Sequence, residues 1–446
     1  MDKRYLVILL LLTFIWACTK DKMPTLIELD QELESLIRQA SSTGSTDFYI
    51  LPDENDLDAI PQDPKNPLSD IKVELGKFLF FETGFAMDAM KESGMGTYSC
   101  ASCHIPEAGF RPGNFQGIAD GGNGFGLNGE NRVKSGDYEE NELDVQSARP
   151  LSMTNVAFVK NTFWNGQFGP GGANIGTEEV WDLRGDTQRN HWGFEAIETQ
   201  NFQGIEDHRI LVTEELIDEY GYREMFDEAF PELTETLRYS NYGGSLAISA
   251  YIRTILTTEA PFQDWLKGDR NALSYEEKKG GILFFGKANC TNCHYNKNLG
   301  SIEFHALGVK DMDQIPSYNT SASDRRNLGR GGFTLKEEDN FKFKVPQLYN
   351  MSDAPFYFHG ASKNTLEEVI DYKVDALTEN SRVDQSLISE SFIPLDLSEE
   401  EKGFLVKFLE RSLRDPNLVR YKPTSIKSGF CFPNNDPQSR IDLGCN

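Results

Sequence analysis

The chain has 446 residues, of which 39% are hydrophobic and 11% aromatic, and its formal net charge is -26. This is enough apolar material for two or three packed domains and excludes a mainly disordered chain. The charge argues against a nucleic-acid partner and for small molecules or proteins with a basic patch, although acid that serves only solubility accounts for it equally well.

Lys3 and Arg4 precede the apolar run Leu6–Trp16, and Ile15-Trp16-Ala17-Cys18 has the form of a lipobox. The run is too short to span a membrane and polar residues follow at once, so residues 1–18 read as a bacterial export signal. Cleavage before Cys18 leaves it free for lipidation, and several acyl chains together anchor a protein stably. Thr19, in place of an acidic residue, points to the outer membrane, so the expected location is the periplasm, as an outer-membrane-anchored lipoprotein. Residues 19–70 are expected to form one short helix, on the spacing of Leu26, Ile27, Leu29, Leu33, Leu36 and Ile37, and then a Ser-, Asp- and Pro-rich tether.

A first domain is expected over residues 71–266, opening on the apolar stretch Val73–Phe81. It contains Cys100-Ala101-Ser102-Cys103-His104, and a second copy of the pattern follows at Cys290-Thr291-Asn292-Cys293-His294. Cys-x-x-Cys-His is the attachment signature of a c-type haem: two thiols form thioethers with the porphyrin, and the adjacent imidazole lies under the iron. Two zinc knuckles would use the four thiols but leave both histidines unexplained. Cys100, Cys103, Cys290 and Cys293 are therefore read as haem attachment points, and His104 and His294 as iron ligands, for two covalently bound haem c groups. Gly121–Gly129 reads as loop, because no strand precedes it. Residues 213–266 are mostly helical in pattern. The second domain, 267–420, opens on a capping box at Ser274-Tyr275-Glu276-Glu277, and a matching helix begins at Ser398. Residues 421–446 form a tail in which the remaining cysteines, Cys431 and Cys445, are expected to pair as a structural disulfide. The fold class is mainly α: two cytochrome-c-like haem domains with long loops, after the lipoprotein signal and tether.

From about Val73 to Leu409 the chain resembles bacterial di-haem cytochrome c peroxidases and their MauG-type relatives. The resemblance rests on Leu75-Gly76-Lys77-x-Leu79-Phe80-Phe81, Cys103-His104-x-Pro106-x-x-Gly109-Phe110 and Phe163-Trp164-Asn165-Gly166. Gly286-Lys287-Ala288, Phe343-Lys344-Val345-Pro346 and Tyr357-Phe358-His359-Gly360 continue it. It implies a peroxidatic haem on His104, an electron-entry haem on His294 and Trp164 between them. It also implies hydrogen peroxide as substrate and a small donor protein, a cytochrome c or cupredoxin. The calcium ion known in the family is left open, and so is a homodimer.

Two departures bear on mechanism. Glu198-Thr199-Gln200 matches a family glutamine at Gln200, but the position of the family's distal glutamate falls on Ile210, so His208 and Glu206 are the candidate acid-base residues. A histidine has a suitable pKa unperturbed, whereas a glutamate needs burial to raise its own. His208 is alternatively a resting-state iron ligand or a surface residue. The methionine that usually completes the second haem is missing: none follows Met351, and counting from His359 reaches Lys373, with Tyr372 just before it. Tyr372 is preferred as that ligand, as in MauG-type members. The missing methionine makes a MauG-type oxidation of a protein or organic substrate the first alternative, and a purely electron-transferring lipoprotein the second.

Overall fold

The two Cys-x-x-Cys-His motifs sit in two halves built on one plan. The structure is a computed structural model and describes residues 24–445, so the export signal and Cys18 lie outside the described residues. Seven longer helices are labelled in chain order: α1 (Leu26–Ala40), α2 (Asp70–Phe81), α3 (Ala196–Asp207), α4 (Asn241–Arg253), α5 (Tyr275–Phe285), α6 (Leu366–Asp375) and α7 (Glu399–Lys407). Short helices and helical turns make up most of the other regular structure. The strands among the described residues are two antiparallel pairs, β1 (Gly122–Asn123) with β2 (Val133–Lys134) and β3 (Phe304–His305) with β4 (Phe343–Lys344). No helix among them is long and apolar enough to cross a membrane.

In the first half, Ser69 caps α2 by accepting from Lys72 N, and Leu75, Leu79 and Phe80 enter the core. α2 crosses α4 at Gly76, where an added Cβ would lie 1.8 Å from the Ala247 carbonyl oxygen. In the second half, α5 starts on the Ser274–Glu277 capping box and crosses α7 at Gly280, where a Cβ would lie 2.0 Å from the Phe404 carbonyl oxygen. Both crossings therefore exclude a side chain. Each helix then ends on a phenylalanine facing its own motif: Phe80 to His104, 6.4 Å between ring centroids, and Phe284 to His294, 6.5 Å.

The chain ends are laced across these halves. α1 carries a capping box, Thr25 with Glu28, and buries Leu29, Leu33 and Ile37 in the second core, against α5. Its Asp30 accepts from the Trp265 indole at 2.8 Å and from Lys278 Nζ at 2.9 Å. Residues 40–70, expected to be a tether, are instead a packed strap. Tyr49 and Leu51 join the second core, Ile60 packs on Ala157 and Leu256, and buried Asn66 donates to the Leu246 carbonyl at 2.9 Å. The terminal residues return to the first half, where Phe432 meets Phe81 and Arg132 pairs with Asp436 at 3.1 Å, both buried. Cys431 and Cys445 are joined in a disulfide. This segment holds the first motif directly: Ser99 Oγ donates to the Pro433 carbonyl at 2.9 Å, and Ser102 bonds Asn434.

Candidate functional site

One cavity of about 1100 Å³ reaches both motifs and is lined by Cys100, Cys103 and His104 at one station and by Cys290, Cys293 and His294 at the other. Each imidazole is oriented by a backbone carbonyl a few residues on. His104 Nδ1–H donates to Phe110 at 3.2 Å and His294 Nδ1–H to Leu299 at 2.8 Å. A carbonyl only accepts, so Nε2 of both rings carries the free lone pair. Burial pushes both imidazoles down to about 4, keeping them neutral. Burial also pushes the Cys100, Cys103 and Cys290 thiols up to about 12.

The cavity suits covalent porphyrins. Its volume slightly exceeds the ~300–1,000 Å³ of single-ligand pockets. A flat face at the first station is kept by Gly117, where a Cβ would lie 2.7 Å from Cys103 Sγ. Arg149 lines the cavity with a buried Nη1 that has no protein acceptor, although its Nε and Nη2 donate to Phe356 and Pro112 carbonyls. Burial, with Arg111 beside it, lowers this guanidinium to about 9. A buried donor without an acceptor costs about 1–3 kcal/mol, which a propionate oxygen would remove.

Trp164 also lines the cavity. Its indole Nε1–H donates to the Arg149 carbonyl at 2.7 Å, and its ring stands edge-on to His359 at 6.3 Å. His359 stacks on Phe343 at 3.5 Å and bonds Asp311 at 3.0 Å, so it braces the loop that carries it.

α3 brings Gln200, Gln203 and Asp207 to the first station, and His208 caps its end. His208 Nδ1 lies 2.9 Å from Asp144 Oδ2, a carboxylate 64 residues away in sequence. Burial alone would lower this imidazole, but the Asp144 charge and hydrogen bond outweigh it and raise the group to about 9. Glu206 does not share this place: it is 52% exposed and paired with Arg189, because its position on α3 faces away from the cavity. Glu198 is buried against Arg253 and serves the fold, and Ile210 is buried in the core.

At the second station the α6 stripe Val369, Ile370, Lys373 and Val374 faces the cavity. Tyr372 does not. It precedes Lys373 by a 100° helical step, donates its hydroxyl to the Leu307 carbonyl at 2.7 Å and packs on Phe392. Burial holds its phenol well above the usual range. The expectation for Tyr372 as iron ligand is corrected on these grounds. His305 lines this station, bonded to Ser389 and Glu303, while His191 is bonded to Asp182 outside the cavity. Asn155 bonds Thr257 through both side-chain atoms, at 2.8 and 3.1 Å.

A family model described as di-haem cytochrome c peroxidase matches residues 70–271. The cytochrome-c peroxidase IdrP2 of Denitromonas iodatirespirans is 30% identical over 366 residues, covering 78% of this chain and 83% of that protein. The methylamine utilization protein MauG of Methylorubrum extorquens is 28% identical over 364 residues, 81% of this chain and 84% of that one. A solved MauG-like protein associated with microbial copper homeostasis is 25% identical, with a TM-score of 0.56 over 83% of this chain and 95% of its own. The diheme peroxidase BthA of Burkholderia thailandensis, at 17% identity and TM-score 0.50 over 80% of this chain and 89% of its own, shares the fold. The chain belongs to the family of di-haem cytochrome c peroxidases and MauG proteins.

Proposed function

We propose that the protein reduces hydrogen peroxide to water with electrons from a small cytochrome c or cupredoxin. The observation that carries this reading is the His208–Asp144 pair, set in the cavity that reaches both stations and is also lined by Trp164. When bound, the two haems supply the stored electrons and the iron centre at which the O–O bond is cut. Cys100 and Cys103 would hold the first group and Cys290 and Cys293 the second, with His104 and His294 presenting Nε2 as ligands. Because Asp144 holds Nδ1, His208 keeps Nε2 for the substrate. It takes a proton from the peroxide oxygen and returns it to the departing oxygen, which leaves as water. Gln200 lines the same pocket and positions the substrate by hydrogen bonding. Trp164, fixed by Arg149, lines the same cavity and is the ring assigned to carry electrons from the second station to the first.

The reading extends to place: an exported protein, lipidated at Cys18 and held on the outer membrane in the periplasm, where the -26 charge steers a basic-faced donor to it. One observation favours a MauG-type reaction on a protein or organic substrate instead, namely that α6 offers the second station no methionine. Stopped-flow mixing of the half-reduced protein with peroxide and reduced cytochrome c separates the readings. Multiple turnovers of cytochrome establish the peroxidase. Peroxide consumption with no cytochrome turnover selects the MauG-type reaction, and no reaction with peroxide leaves an electron carrier.

A further inference from the structure

The second station contains a lysine with nothing to bind. Lys373 lies on the cavity stripe of α6, and its charge is felt by Cys293, Cys290 and His294, which places it at that motif. Two buried lysines have oxygen partners, whereas Lys344, which lines the same cavity but shows no interaction with the motif cysteines, has none among the described residues. Lys278 has Asp30 and the Arg270 carbonyl, and Lys72 has the Pro67 carbonyl. Lys373 has neither a carboxylate nor a hydrogen-bond acceptor among the described residues. Lys373 faces the cavity without a counter-ion; once a porphyrin fills that space an ammonium there is costly, whereas a neutral amine with its lone pair directed at a metal does not carry that penalty. The neighbouring donors are committed elsewhere: the Tyr372 hydroxyl to Leu307, and His305 to Ser389 and Glu303.

We propose that the side-chain amine of Lys373 is the sixth ligand of the iron in the second haem, with His294 as the fifth. The inference rests on the reading of Cys290–His294 as a haem attachment site. Two nitrogen ligands make this iron low-spin and closed to peroxide. An amine donates more strongly than a thioether, so it sets the potential of this haem below that of a His/Met centre. The station would then relay electrons without reacting itself, leaving peroxide to the His208 side.

The test is spectroscopic and uses the exported protein with its haems attached. Covalent haem content is counted first. One haem or none in the wild type overturns the two-haem reading and this proposal with it. With two haems present, the wild type should show a low-spin EPR signal of a His/amine iron and no near-infrared thioether band. Lys373→Ala should convert that signal to high-spin. Lys373→Met, which keeps the side-chain length, should create the thioether band and raise the midpoint potential of one haem only. Tyr372→Phe should change neither. An unchanged signal in both Lys373 variants overturns the proposal, and a thioether band in the wild type does so in favour of Met351, which also lines the cavity.

Discussion

The carbonyl oxygen of Arg149 accepts the indole N–H of Trp164 at 2.7 Å, while the buried guanidinium of the same residue lines the cavity that joins the stations. One residue thus fixes the indole and presents a cation to whatever occupies the space beside it. Trp164→Phe keeps an aromatic ring but removes this anchor. Peroxide turnover should fall by about tenfold or more while covalent haem content and the separate spectra stay unchanged. Unaltered turnover would show that electrons do not need this ring.

The His208–Asp144 pair makes a prediction about pH. With Asp144 charged, the folded imidazole titrates at about 9, above the ordinary histidine value of about 6.5. The neutral form that can act as base therefore grows as pH rises through about 9, and kcat/KM for peroxide should rise along that limb. Asp144→Asn removes the raising charge, so the limb should move toward or below about 6.5. His208→Gln should abolish the limb and lower kcat by roughly 10²–10⁴-fold. A profile with the same limb in both variants would assign the proton to another group, with Asp207 in the same cavity as the next candidate.

The linkage has a matching sign in stability. A pKa raised on folding contributes stability that is complete below about 6.5, the unfolded value, and is lost as pH rises through about 9. Asp144→Asn should thus narrow the difference in Tm between pH 6 and pH 10, read by calorimetry.

Gly76 and Gly280 predict equivalent damage in opposite halves. A methyl group at either would lie within 2.0 Å of a facing backbone carbonyl oxygen, and backbone cannot move aside as a flexible side chain can. Gly76→Ala should destabilise the first half by about 3 kcal/mol or more and impair haem attachment at Cys100–His104 first. Gly280→Ala should do the same at Cys290–His294. Peptide-resolved haem counting distinguishes these outcomes from uniform unfolding.

What was legible in the sequence is what depends on neighbours in the chain. The attachment motifs, the capping boxes at Ser274 and Ser398 and the helix over 26–37 are set within a few residues. The choice between Tyr372 and Lys373 was not legible, because it turns on the rotation of α6 about its axis, fixed by Leu307 and Phe392 from distant segments. Asp144 was invisible for the same reason, being 64 residues from the histidine it orients. The strap at 40–70 has the composition of a tether, and only its widely spaced anchors Tyr49, Leu51 and Ile60, each meeting a partner far along the chain, make it part of the body.

The size of the cavity leads to the last prediction. A chain that never acquired its porphyrins would enclose about 1100 Å³ of largely apolar space. At ~24 cal/mol per Å³, keeping such a space dry would cost on the order of 26 kcal/mol, above the roughly 5–15 kcal/mol that stabilises a whole domain. Admitting water would instead wet Phe80, Phe284 and the other apolar residues that the fold hides there. Either way the native packing cannot survive without the groups. Substituting alanine for Cys100, Cys103, Cys290 and Cys293 should leave much of the far-UV helical signal but remove the near-UV signal and the cooperative thermal transition. The helices keep their caps while their packing surface is lost. A cooperative transition at the holoprotein's temperature would show that the halves are held together by the laced chain ends, and not by what fills the cavity.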